Sequence, residues 1–245
     1  MKPRRVYISV AVAAALLAAW LSAAQGVTPA RAGSCGSSSK WLASWAETFS
    51  ARVVRPTTAF RRPGGAALLT LPLADRYGFP TTVSLLERVQ TCRARWYRVR
   101  LATWPNGTTG WVRSRDVTTT RLRARIVVDI SRHRLFLYKA GRLVFSSPAA
   151  IGKPSTPTPR GTFFVTQRFV VEPTTGPYGP RALGISAFSD VLRSWRDGGP
   201  IGIHGTNERF SIGAPVSHGC VRLPNDRIVA LFKVTPLGTP VLIRE

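Results

Sequence analysis

The chain has 245 residues, 44% hydrophobic and 19% charged, enough to build one large domain or two modest ones and unlike a disordered tail. Lys and Arg number 35 against 11 Asp and Glu, a net charge of +24. That imbalance calls for anionic surroundings, which nucleic acid, anionic lipid or an acidic wall polymer would each satisfy. The charge is spread, with 15 Arg and 4 acidic residues (+11) over 41–125 and 15 basic and 7 acidic residues (+8) over 126–245. No basic run has the length or helical stripe of a nucleic-acid-binding arm, so nucleic acid is not an expected partner.

Residues 1–32 read as an export signal: the basic "MKPRR", an apolar run, then Ala30-Arg31-Ala32 as a small–x–small cleavage pattern. A membrane attachment is expected only if this signal stays uncleaved, and the expected location lies outside the cytoplasm. A Gly/Ser-rich spacer, 33–40, follows. Over 41–120 short β-rich pieces alternate with Pro and Gly. The clearest is "RWYRVRLATWPNGTTGWV", which predicts strand, turn and returning strand. This pattern suggests a small barrel or sandwich, with Trp96, Trp104 and Trp111 as candidate core residues, and the residues resemble the end of a bacterial SH3-like wall-associated domain. "TTTRLRAR", 118–125, reads as a polar joint between two domains.

A second β-rich region, 125–245, begins with "IVVDIS" and a hairpin turning at Lys139-Ala140-Gly141-Arg142. A strand is expected from Thr162. "VEPTTGPYGPRALGISAF" has the Gly/Pro density of a long loop capping a site. One helix is predicted, "NDRIVALFKV", with Asn225 or Asp226 as its cap. "GTPVLIRE" closes the chain as a strand.

The chemistry gathers in "IGIHGTNERFSIGAPVSHGCVRL", Ile201 to Leu223. As metal ligands, His204, His218 and Cys220 lack a fourth partner for structural zinc, and His-x-Cys is not a common paired-ligand spacing. A zinc hydrolase is the weaker reading, and no metal or cofactor is expected. Cys35 and Cys92 form a plausible disulfide pair in an exported protein, which leaves Cys220 as a free thiol. A thiol nucleophile needs its pKa lowered or its proton taken, and the segment offers two histidines for that task. Gly219 removes a Cβ where a carbonyl must approach, and Arg222 carries a permanent positive charge beside the thiol.

"IHGTNERFSIGAPVSHGCVR" resembles the signature of the YkuD-type L,D-transpeptidases: a histidine, a spacer, then Ser/Thr-His-Gly-Cys followed by Val/Ile-Arg. "IVVDISRHRLFLYKAGRLV", "IGKPSTPTPRGTF", "GISAF" and "GTPVLI" fall in the order seen in that family, over 125–245. The resemblance implies a mainly β protein, an SH3-like small barrel followed by a YkuD-type β-sandwich with one or two helices. It implies that Cys220 attacks a peptide carbonyl and that His204 is the base, oriented by the carbonyl of Gly205. Gly219 and Cys220 would supply oxyanion N–H groups, while Ser217, His218 and Arg222 shape the pocket. The implied reaction is 3→3 cross-linking of peptidoglycan stem peptides through a Cys220 thioester with release of D-Ala. Water as acceptor gives an L,D-carboxypeptidase. A non-catalytic wall binder, drawn to anionic wall polymers by its charge, is the rival from another class. On the plainer reading Arg222 only pairs with Asp226 or Asp190, Ser217 only supports by hydrogen bonding, and His133 is a surface residue.

Overall fold

The computed structural model describes residues 37–245; the expected export signal and Cys35 lie outside the described residues. Gly36–Glu245 is one compact unit containing two eight-stranded sheets, each with its own core. The mainly β expectation holds: among the described residues strands dominate, with three short 3₁₀ turns and one α-helix.

The N-terminal sheet holds β1 (Ser38–Trp41), β2 (Thr48–Val53), β3 (Thr57–Phe60), β4 (Ala67–Leu71), β5 (Thr82–Gln90), β6 (Arg95–Arg100), β7 (Thr109–Arg113) and β8 (Val117–Leu122). Their order is β4-β3-β7-β6-β5-β2-β8, with β1 also pairing with β5. β2 alternates buried and exposed side chains at its end, Ala51 and Val53 facing in and Arg52 out, the period-2 signature of a half-buried strand. The hairpin expected around "PNG" is β6–β7, and its ladder extends to Leu101, whose N–H donates to the Thr108 carbonyl at 3.0 Å. Of the three tryptophans assigned to a core, Trp96 is 5% exposed, Trp111 is half-buried and Trp104 is 44% exposed. Trp104 sits outside the core, with the Arg193 guanidinium carbon 3.5 Å from its ring centroid. Cys92 is disulfide-bonded, whereas Cys220 is free.

The C-terminal sheet follows with almost no joint. "TTTRLRAR" is itself extended, ending β8 and starting β9 (Ala124–Asp129). Then come β10 (Arg134–Lys139), β11 (Arg142–Pro148), β12 (Ile151–Gly152), β13 (Gly161–Val170), β14 (Arg181–Phe188), β15 (Pro200–His204), β16 (Pro215–Ser217), β17 (Val221–Arg222), α1 (Asn225–Val234) and β18 (Pro240–Arg244). The sheet order is β11-β10-β9-β18-β13-β14-β15-β17. β10 and β11 meet at Ala140-Gly141, both with positive φ (51° and 82°), as a two-residue hairpin requires. β13 pairs with β18 over Gly161–Phe164 and with β14 over Val165–Val170, so it carries the ladder from one layer to the next. Ile126, Leu135, Leu183, Ile203 and Ile243 from both layers share one core, closed by Ile228 and Leu231 of α1.

Two local expectations differ from the structure. The Gly/Pro-rich loop ends at Pro180, and Arg181–Phe188 is the central strand β14, where Leu183, Ile185 and Ala187 alternate into the core. The helix begins at Asn225, but neither Asn225 nor Asp226 caps it; Pro224 holds the cap position. The Asn225 carboxamide faces elsewhere, accepting the Thr206 N–H at 2.9 Å.

Candidate active site

His204 is the last residue of β15, and Cys220 immediately precedes β17. The two strands pair in parallel with Ile203 opposite Val221 and His204 opposite Arg222. A parallel pair demands a crossover, and the crossover here is the rest of the signature, from Gly205 to Gly219. The pairing thus brings a distant histidine beside the thiol, and the Gly202 N–H points at Cys220 Sγ at 3.4 Å.

His204 is 4% exposed, and its Nδ1 lies 2.6 Å from the Gly205 carbonyl. A carbonyl only accepts, so Nδ1 carries the hydrogen and Nε2 keeps the basic lone pair. Burial, and to a lesser degree the Arg222 charge, hold the imidazole pKa down at about 4 against the pull of the Gly205 bond. Cys220 is pushed the other way. Burial raises its pKa, with the Gly202 N–H and Arg222 offsetting part of the rise. Near neutral pH the groove therefore holds a neutral thiol and a neutral imidazole.

The turn before the thiol is cross-braced. Ser217, 1% exposed, donates from Oγ to the Cys220 carbonyl at 2.6 Å and accepts the Gly219 N–H at 3.1 Å. The Ser217 carbonyl in turn accepts from Thr156 Oγ1 and the Lys153 N–H, both at 3.0 Å. Gly219 has φ +111°, and a Cβ there would meet Ile201 Cδ1 at 2.9 Å, so the position needs glycine for conformation and for space. In this arrangement the Gly219 N–H is donated to the Ser217 hydroxyl. Gly205 is buried and acts through its carbonyl on His204.

The remaining candidates fall at the rim. His218 is exposed, with its ring 5.2 Å from that of Trp195. Arg222 pairs with Glu208, Nη1 to Oε2 at 2.5 Å, and not with Asp226 or Asp190. His133 lies away from the thiol, its Nδ1 2.5 Å from the Gly213 carbonyl in the crossover. Tyr178, from the loop before β14, stands edge-on to His204 with centroids 4.9 Å apart. Cys220, His204 and His218 together line a groove of about 580 Å³ with Tyr178, Trp195 and Phe169. Among the described residues, no three His, Cys, Asp or Glu side chains are arranged to hold a metal.

Sequence reasoning missed Asn225. Its Oδ1 lies against the backbone of Gly179 and Gly205, where a Cβ on either glycine would come within 2.3 Å of it. Together with the bond to Thr206, this braces the carbonyl that orients His204. The signal available was weak: an Asn at a helix start, which reads first as a cap.

The sequence profile of the YkuD family, described as an L,D-transpeptidase catalytic domain, matches residues 123–243. The YkuD protein of Bacillus licheniformis, named for L,D-transpeptidase activity, is 39% identical over 120 residues, 49% of this chain and 64% of that protein. Its namesake from Bacillus subtilis is 36% identical over 120 residues, 49% of this chain and 65% of that protein. The chain thus spans just under two thirds of the length of these relatives. Among solved structures, the catalytic domain of an E. faecium L,D-transpeptidase aligns with 49% of this chain and 96% of its own, at 26% identity and a TM-score of 0.36. The stretch that holds both His204 and Cys220, residues 123–243, belongs to the YkuD family of L,D-transpeptidase catalytic domains.

Proposed function

We propose that the chain is a peptidoglycan L,D-transpeptidase acting outside the cytoplasm, with Cys220 as nucleophile and His204 as base. The observation that carries this reading is the β15–β17 pairing, which sets a free thiol at the head of one strand beside a histidine whose basic nitrogen is fixed by Gly205. His204 Nε2 takes the Cys220 proton as sulfur attacks the carbonyl carbon of the third stem residue. The tetrahedral oxygen is met by the Cys220 N–H, a preorganised donor worth about 3–4 kcal/mol in such sites. Collapse breaks the C–N bond, and the imidazolium returns its proton to the departing amine of D-Ala, leaving a thioester. The side-chain amine of a diamino acid on a second stem then attacks. Its proton passes through His204 to the thiolate that leaves, restoring the enzyme and completing a 3→3 cross-link.

In this reading Ser217 and Gly219 fix the turn that aims Cys220, Arg222 helps to orient the donor, and His218 forms the rim. The N-terminal sheet, as residues 41–120, is the SH3-like wall-associated module, and residues 125–245 are the catalytic domain. The basic charge favours anionic wall polymers. The test is product analysis on defined disaccharide-tetrapeptides. The wild-type chain is expected to give D-Ala and 3→3 dimers, and Cys220→Ala neither. D-Ala release that persists in Cys220→Ala contradicts the assignment, and tripeptide without dimer marks water as the acceptor.

A further inference from the structure

The groove beside Cys220 is not walled by the C-terminal sheet alone. Tyr77, from the 72–81 loop between β4 and β5, also lines it. Its ring stands edge-on to Phe169 of β13 at 5.7 Å, and Phe79 meets the same ring at 4.9 Å. The loop is shaped to present this tyrosine. Asp75 Oδ1 accepts the N–H groups of Tyr77 and Phe79 at 2.9 and 3.0 Å, and Oδ2 accepts from Gln167 Nε2 of β13 at 2.6 Å.

Arg76 and Tyr77 then reach into the C-terminal half. The Arg76 guanidinium and the Tyr77 hydroxyl donate to the two carboxylate oxygens of Asp197. Asp197 sits at φ +63° in a short turn next to Trp195, whose ring lies 5.2 Å from that of His218 at a tilt of 42°. The other end of this segment is held as well. The Asn106 side chain exchanges two hydrogen bonds with the Phe188 backbone (2.7 and 2.9 Å), and Arg193 lies 3.5 Å over the Trp104 ring. The 189–199 segment, which brings Trp195 to the groove, is thus pinned at both ends by the N-terminal sheet.

We propose that Arg76, Tyr77 and Asp197 are positioning residues of the acyl-transfer groove. The β4–β5 loop holds Trp195 against His218 and supplies Tyr77 as a wall, so both sheets grip the donor stem peptide. This rests on the groove being the stem-peptide site. A carboxylate bound by a guanidinium and a phenol is a charge-assisted, two-point contact, the geometry that fixes a loop in one place. With Asp197 as acceptor the Tyr77 pKa is raised, so the phenol remains a donor through the neutral range.

The experiment pairs hydrogen–deuterium exchange with steady-state D-Ala release from a disaccharide-tetrapeptide, on the full chain and its variants. Arg76→Ala and Tyr77→Phe are expected to speed amide exchange in 190–199 about tenfold and to raise KM roughly five- to tenfold with little change in kcat. Arg76→Lys recovers most of both effects, and Tyr77→Ala, which also loses the ring, raises KM further than Tyr77→Phe. Exchange and KM at wild-type values in Arg76→Ala and Tyr77→Phe overturn the proposal. Faster exchange with unchanged KM overturns it too, since the contacts then only join the sheets. No D-Ala release from the wild-type chain, whatever the exchange rates, overturns the transpeptidase reading itself, and the proposal that rests on it falls with it.

Discussion

The two sheets of this molecule have the same number of strands but different connections, and the difference decides where chemistry is possible. Every pairing in the N-terminal sheet is antiparallel, and residues far apart in the chain meet there mainly as packing. The C-terminal sheet contains two parallel pairs, β9–β18 and β15–β17. A parallel pair forces the chain to leave and return, and the segment that leaves after His204 is the one that comes back carrying Cys220. Both sheets bury a full apolar core, yet only the one with a crossover brings a histidine and a free thiol to one groove.

The sharpest way to break this contrast is at His204. His204→Gln keeps the size of the side chain and removes the base, so kcat/KM for D-Ala release is expected to fall about 10³-fold while the fold persists. Retained activity would mean that the proton leaves Cys220 by another route. A paired substitution comes next. Gly219→Ala forces a side chain into φ +111° and against Ile201, shifting Cys220 and lowering kcat/KM by about 10²-fold. Gly107→Ala, at φ +83° in the N-terminal hairpin with open space around it, should lower stability by about 1 kcal/mol and leave kcat/KM as it was. Kinetics and thermal unfolding on the two variants check the contrast directly.

The pH dependence is a subtler probe. With the His204 pKa lowered to about 4, the acid limb of kcat/KM should fall near pH 4, not near the 6.5 of a free imidazole. Stability carries the same sign. The unfolded chain takes up the proton first, so the contribution of a neutral buried His204 is present above about 6.5 and is lost as pH drops towards 4. An acid limb near 6.5 would show that the imidazole is hydrated and free. The smallest effect belongs to the N-terminal sheet. Glu47→Ala breaks an exposed pair with Arg121 and should change stability by less than about 1 kcal/mol, with no change in turnover.

Local chemistry explains which features could be read in the sequence. The β10–β11 hairpin, the helix "NDRIVALFKV" and the Cys220 turn each announce themselves through residues adjacent in the chain: a Lys-Ala-Gly-Arg turn, an apolar stripe, a Ser-His-Gly-Cys run. β14 was hidden because the Gly/Pro density up to Pro180 continues visually into "RALGISAF", although its inward residues alternate correctly. Trp104 was misplaced because its partner, Arg193, is brought to it only by the packing of the two sheets. The bond from the Gly219 N–H to the Ser217 hydroxyl was hidden because a serine side chain can point to either side of a turn. Asn225 carried a competing and more common meaning as a cap. What escaped the sequence is the set of polar contacts made across the fold.

In the proposed reaction a neutral Cys220 thiol, deprotonated by His204 during attack, carries the acyl group. The most direct measurement is mass spectrometry of the intact chain and its peptides after brief mixing with a disaccharide-tetrapeptide and acid quench. The account predicts one adduct, on the peptide containing Cys220, with the mass of the stem less its terminal D-Ala, and none in Cys220→Ala. An adduct on any other residue, or D-Ala released by Cys220→Ala, would contradict it.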